Sequence, residues 1–204
     1  MLENMRISET KSVVIAFGAG LGTGLLLTTI FRRCKSSDHH SRHAKQSEEA
    51  EIEMHILSTQ VPAQALGIVV DKIDATSLVL SCPLDLNRNV HLTAFAGSLY
   101  SLGVLSAYYL GRAWVKREGL EAAGYQLVAK SGRISYNRPV TTARIVARSE
   151  LPSEAALATF RRDLEATGKA TVDLRGVIFG GEEKVGCEFT IEVCGFRPRV
   201  KASA

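Results

Sequence analysis

The chain has 204 residues and a mass of 22.1 kDa, is 46% hydrophobic and 23% charged, and carries a formal net charge of +4. That balance suits one globular domain with an appendage, and the basic residues are not gathered with aromatics into a nucleic-acid-binding face, so nucleic acid is not an expected partner. Cys34, Cys82, Cys187 and Cys194 form no C-x-x-C pair and no metal-ligand spacing. They are therefore expected as reduced thiols in a reducing compartment, with neither metal nor cofactor called for.

Residues 1–11 are short and polar. The next twenty, Ser12 to Phe31, carry no charge, and at about 1.5 Å per residue they span the roughly 30 Å hydrocarbon core. The run is longer than the apolar region of a usual signal peptide and has no clear small-x-small cleavage site, and its flanking acids do not suit a transit presequence. A single-pass transmembrane helix over 12–31 is therefore expected. Gly18 with Gly22 and Gly20 with Gly24 give the G-x-x-x-G spacing of close helix pairs, although glycine is common in membrane helices generally. Arg32, Arg33, Lys35, Arg42 and Lys45 after the run outnumber Arg6 and Lys11 before it, which places the following domain on the cytoplasmic side. Residues 32–53, rich in Ser, Lys, Glu and His, read as a solvated linker.

The folded domain is expected over 54–198, with 199–204 as a tail. It opens on a short helix broken at Pro62, with Met54, Ile56, Leu57 and Val61 turned to the core. Strands follow at Gly67–Ile73 and Ser77–Leu84. A long helix then runs from Ala94 to Arg117, stopped near Gly119. Four further strands are legible at Gln126–Tyr136, Ala143–Ser149, Ala170–Phe179 and Lys184–Cys194. Between the second and third of these, Pro152–Gly168 reads as an amphipathic helix with Leu157, Phe160 and Leu164 inward. The order β-β-α-β-β-α-β-β gives an α+β class.

The long helix organises the rest. From Phe95 to Trp114 its one charged residue is Arg112, and apolar or small side chains occupy every face. A helix apolar all round is buried on most of its circumference, so a curved antiparallel sheet is expected to wrap it. Eighteen uncharged residues, Ala94 to Gly111, approach the length of a second membrane span, but three serines, three tyrosines and the flanking strands favour a buried soluble helix. Ahead of it lie Asp85, Asn87, Asn89, His91 and Thr93, with Gly97 and Ser98 in the first turns. Free N–H groups and the positive dipole end make this start a docking place for a carbonyl or anion. A serine-hydrolase route lacks its G-x-S-x-G elbow, since Ser98 sits in A-G-S-L-Y.

The block Asn87, Asn89, Thr93, Ala94, Phe95, Ala96, Gly97, Ser98, Leu99, Tyr100, Ser101, followed by RISYNRPVT and LEATGKATVDL, resembles the thioesterase domain of the YiiD C-terminal type, a hot-dog fold. The resemblance runs from Met54 to Phe196. It implies a curved sheet around a long central helix, dimers with the site between subunits, and an acyl thioester of CoA or acyl carrier protein as substrate. It also implies the site. The N–H of Gly97, with Ser98, polarises the thioester carbonyl, and a water positioned by Asn89 or activated by Asp85 or His91 attacks it. Asn87, Thr93 and Phe95 line the substrate, and Arg138 meets a carrier phosphate. Two features depart from the pattern: Leu92 stands where the family usually places glycine, and the helix has no carboxylate before Glu118. Both leave open a catalytically silent acyl-thioester-binding module. D-L-N-R-N-V-H also resembles the Asp and His of hot-dog enoyl hydratases, one residue too long and without their proline.

Overall fold

The computed structural model describes residues 48–180 and 184–198. The membrane helix expected over 12–31 lies outside the described residues, and among those described no helix is long and apolar enough to cross a membrane. Helix α1 (residues 48–59) opens the described chain, so residues 48–53, read in sequence as linker, are helical, with Ile52 in the core. Helix α2 (Val61–Leu66) carries proline in its first turn, where the missing N–H removes no intrahelical bond. The expected core contacts are corrected here. Ile52, Ile56 and Ala63 are buried, whereas Met54 and Val61 are 66% and 72% exposed. The helical period that begins at residue 48 turns Met54 outward, and Val61 opens the separate helix α2.

Strands β1 (Val69–Ile73) and β2 (Ser77–Pro83) form an antiparallel hairpin. Asp74 makes its turn: one carboxylate oxygen accepts from the N–H groups of Thr76 (3.0 Å) and Ser77 (2.7 Å), the other from the Ser77 hydroxyl (2.9 Å). Partial burial pushes this carboxyl up, but the Thr76 and Ser77 donors outweigh it and hold the group down at about 2. A four-residue helix, α3 (Leu84–Asn87), leads to a loop and then to α4 (Ala96–Arg117). Strands β3 (Gln126–Tyr136) and β4 (Arg144–Glu150), helix α5 (Glu154–Thr167), and strands β5 (Lys169–Phe179) and β6 (Val185–Phe196) complete the chain. Each strand lies within two residues of its sequence expectation.

The six strands form one sheet of order β1-β2-β4-β5-β6-β3, antiparallel at every step. Side chains alternate across a sheet, so one face gathers Leu78, Leu80, Ile145, Ala147, Leu174, Ile178, Phe189 and Ile191, all buried. That face receives α4, which packs on β2 to β6. No residue of α4 from Ser101 to Val115 is exposed, as an all-round apolar helix requires. Leu102 and Leu110 are fully buried, and truncating either to alanine should cost about 2–5 kcal/mol. Close approach depends on small residues. A Cβ at Gly103 would stand 3.1 Å from the Phe189 ring, and one at Gly176 would collide with that ring and the Arg148 carbonyl. The polar pair inside this interface is satisfied, with the hydroxyls of Ser106 and Ser149 2.7 Å apart. Cys82, Cys187 and Cys194 are free, buried thiols in strands, and burial pushes Cys82 up to about 12 and Cys187 to about 11.

Candidate active site

The loop before α4 is pinned from both sides. The Ala94 N–H donates to the Val140 carbonyl (2.8 Å) and the Phe95 N–H to the Asn87 carbonyl (2.7 Å). These two bonds hold residues 94 and 95 extended, so α4 begins at Ala96, two residues later than expected, with Phe95 as its N-cap. No side chain caps this end and no acid lies in the first turn. The N–H groups of Ala96, Gly97 and Ser98 therefore stand without a capping acceptor at the positive end of a 22-residue helix. Thr93, a natural N-cap by residue type, sits too early to reach them. Its hydroxyl instead accepts from Asn89 Nδ2 at 2.9 Å.

Asn89 is the organiser of the loop. Its Nδ2 also donates to the Ala94 carbonyl (3.4 Å), while its Oδ1 accepts from the N–H groups of His91 (2.8 Å) and Thr93 (3.3 Å). All the bonding capacity of that amide is spent within the loop, so Asn89 positions the backbone and holds no free donor for a water. Asn87 is 2% exposed and has a parallel role. Its Nδ2 donates to the carbonyls of Leu66 (2.9 Å) and Pro83 (2.8 Å), tying α2 and α3 beneath the loop. Its Oδ1 has no partner among the described residues. Leu92 has φ +59°, the one non-glycine in the left-handed region among the described residues. A glycine at this place would relieve that strain, so the departure to Leu92 carries a backbone cost.

The remaining sequence-assigned residues divide. Gly97 lies directly under the Phe95 ring, which a Cβ there would strike; Ser98 is buried and Phe95 is 54% exposed. Those three share the helix start. Asp85 faces solvent with a side chain 91% exposed, 3.9 Å from Arg88, and His91 is exposed too. Neither is brought over the free N–H groups by any contact. Arg138 is exposed on the loop that supplies Val140 to Ala94, and its guanidinium makes no hydrogen bond or ion pair among the described residues. It is available to an anion beside the site.

Two tyrosines belong here that the sequence did not single out. The Tyr136 hydroxyl, on β3, donates to the Ala96 carbonyl at 3.0 Å, and Tyr100 lies against Gly132 of the same strand. Burial first, then the neighbouring Cys187 and Tyr100, push the Tyr136 hydroxyl above its ordinary value, so it remains a donor. The signal available was the aromatic spacing of LYS and ISY, but pairing residues 36 apart needs the fold. With Val90, Leu92 and Phe95 these rings leave an apolar exposed surface around the helix start. A cavity of about 680 Å³ lies at the opposite end of α4, beside Trp114, Arg117, Leu157 and Arg161. It holds none of the sequence-assigned residues. The helix start can polarise a carbonyl through three preorganised donors, and among the described residues of one protomer no contact sets a proton acceptor against it.

A family model described as "Putative thioesterase (yiiD_Cterm)" matches residues 49–192. Comparison with curated proteins gave no match. Among solved structures, the chain is similar to OLEI01261 from Chlorobaculum tepidum TLS, a protein of unknown function, with 26% identity over 76% of this chain and 97% of that one and a TM-score of 0.66. A thioesterase from Shewanella oneidensis, itself described as putative, shares 23% identity over 75% and 99% of the two chains, TM-score 0.59. Thioesterase HI1161 from Haemophilus influenzae shares 14% over 69% and 86%, TM-score 0.54. At such identities the last two show the common fold, a hot-dog sheet around its helix.

Proposed function

The chain belongs to the YiiD C-terminal thioesterase family, whose match covers most of its length, and on that premise we propose that it hydrolyses an acyl thioester carried by CoA or acyl carrier protein at the start of α4. The observation that carries this reading is the uncapped helix start, Ala96 to Ser98, beneath a loop whose own polar groups are spent on one another. A thioester carbonyl placed against the Gly97 and Ser98 N–H groups gains a stabilised oxyanion as water attacks. Phe95, Tyr100 and Leu92 offer apolar surface to the acyl arm, and Arg138 a cation to a carrier phosphate. Asn89 and Asn87 act through the backbone they hold.

The working unit in this proposal is a homodimer. β3 is an edge strand of eleven residues, and its free side lies beside a half-buried stripe on α4 of Gly97, Ser101, Val104, Leu105, Tyr108 and Arg112. A bare edge and an incompletely covered apolar stripe are what a second copy would cover. The uncharged run 12–31, followed by a basic stretch, supports anchorage to a membrane with the domain on its cytoplasmic side. A silent acyl-thioester-binding module is the second reading, favoured by the absence of any carboxylate on α4 and by the full engagement of Asn89. Incubating the full chain in detergent with acyl-CoAs and acyl carrier proteins of varied chain length separates the two: thiol release supports hydrolysis, whereas binding without release supports the module.

A further inference from the structure

A peptide group joins the carbonyl of one residue to the N–H of the next in a single plane. The Gly97 N–H, uncapped at the start of α4, therefore shares its amide with the Ala96 carbonyl. That carbonyl points the other way, into the helix, where the Tyr100 N–H one turn on engages it. It also receives the Tyr136 hydroxyl of β3 at 3.0 Å. A carbonyl oxygen has two lone pairs and accepts both. The second donor thus reaches from outside the helix onto the peptide group whose N–H faces a ligand.

The strand is built to deliver that hydroxyl. Gly132, Ile134 and Tyr136 alternate onto the side of β3 that meets α4. A Cβ at Gly132 would stand 2.6 Å from the Tyr100 hydroxyl, so glycine there lets the first turns of α4 come close to the strand. The end of β3 is fixed by β6: Tyr136 pairs with Cys187, and the Gly186 carbonyl accepts from the N–H groups of Asn137 (2.8 Å) and Arg138 (3.0 Å). Further along, the Val140 carbonyl accepts from the Ala94 N–H at 2.8 Å. Residues 136–140 therefore grip residues 94–96 by two bonds of opposite sense. The bond at Ala94 sets the backbone ahead of the helix, whereas the bond at Ala96 falls on the Gly97 amide itself.

We propose that Tyr136 is a positioning residue of the reaction: by donating to the Ala96 carbonyl it orients and polarises the Ala96–Gly97 amide, which makes the Gly97 N–H a stronger donor to the thioester oxygen. This rests on the thioesterase reading above. Linked hydrogen bonds reinforce one another, because a donor at the amide oxygen draws electron density from the nitrogen and leaves its N–H more positive. The call on that N–H is greatest when the thioester oxygen becomes an oxyanion, so the gain falls on the transition state rather than on substrate binding. The hydroxyl touches no substrate and transfers no proton. A phenylalanine at this position keeps the ring and loses only the donor.

Full-length Tyr136→Phe, Gly97→Pro and the double variant test this. Tyr136→Phe should lower kcat about 5-fold, with KM and melting temperature little changed. Added to Gly97→Pro it should lower kcat no further, because the N–H through which it acts is gone. Full kcat in Tyr136→Phe, or a loss that is undiminished in the Gly97→Pro background, overturns the proposal and leaves the thioesterase reading intact. NMR of the folded protein gives a readout free of turnover: the Gly97 amide nitrogen and proton should both move upfield in Tyr136→Phe. A Gly97 signal that stays in place overturns the polarisation. A wild type that releases no thiol overturns the thioesterase reading and any part for Tyr136 in catalysis with it.

Discussion

The two ends of α4 are built on opposite rules. At the C-terminal end every charge is engaged: Lys116 with Glu51 (2.6 Å), Arg117 with Glu48 (2.9 Å) and with the carbonyls of Asp74 and Ala75, and Glu118 with Arg161 (2.5 Å). Lys116 and Arg117 also oppose the negative dipole end. At the N-terminal end the helix has no cap, no acid and three free N–H groups, beneath a loop that takes a left-handed leucine to make its turn. A helix that needed only stability would be capped at both ends. In the function proposed above, the difference gives structure to one end and ligand to the other.

If that division is right, changes at the two ends should separate stability from activity. The largest effect falls on Gly97→Pro, which deletes one N–H at the second helical position, where proline costs no intrahelical bond, and which turns aside the tip of the exposed Phe95 ring that a Cβ there would meet. Loss of an oxyanion donor should lower kcat on the order of 100-fold, with the melting temperature down by only a few degrees. Asn89→Ala removes the side chain that joins His91, Thr93 and Ala94. It should cost about 2–3 kcal/mol in denaturant unfolding and lower kcat in step. At the other end, Arg117→Ala should cost about 1–2 kcal/mol, because two backbone carbonyls lose their donor, and leave kcat as it was. A kcat loss there would erase the distinction between the ends.

The C-terminal end also carries an acid-sensitive element. The Asp74 carboxyl sits at about 2 in the folded protein, below its ordinary value of about 3.8 in the unfolded chain. Its contribution is therefore complete above pH 4 and disappears as the pH falls through 2. Asp74→Asn should remove about 1–2 kcal/mol at pH 7, and the gap between wild type and variant should close in acid. The smallest expected effect is a gain. Leu92→Gly should stabilise the chain by up to about 1 kcal/mol, read as a rise of a few degrees in melting temperature. A fall instead would mean that the Leu92 side chain has contacts worth more than its backbone strain.

Much of the fold was legible because its signals are local. Alternation in ATVDLRGVIF fixes which side of β5 faces α4, whereas in LVAKSGRISY an irregularity between Ala129 and Ser131 shifts the alternation so that Leu127 and Gly132 both meet α4, and the absence of any polar stripe on α4 announces a helix enclosed by sheet. Helix α1 was only half visible, since Ile52 and Ile56 are its inward residues and lie in a stretch whose composition reads as linker. The site was legible as a place rather than as a set of roles. Asn87, Asn89, Thr93, Gly97 and Ser98 do meet at the start of α4, but Asn89 bonds backbone groups of its own loop, and no sequence pattern distinguishes that from holding a water. Asp85 and His91 are bases that the resemblance implies, and the fold leaves both exposed. Tyr136 escaped notice because its partner is a carbonyl 40 positions away.

The measurement that bears most directly on the central claim is thiol release from acyl-CoA and acyl carrier protein substrates, followed by mass spectrometry, with the full-length chain and its Gly97→Pro variant side by side. The account predicts turnover on at least one chain length and its loss, on the order of 100-fold, in a variant that still folds. Equal turnover by the two proteins would contradict it, because the chemistry would then lie away from the start of α4.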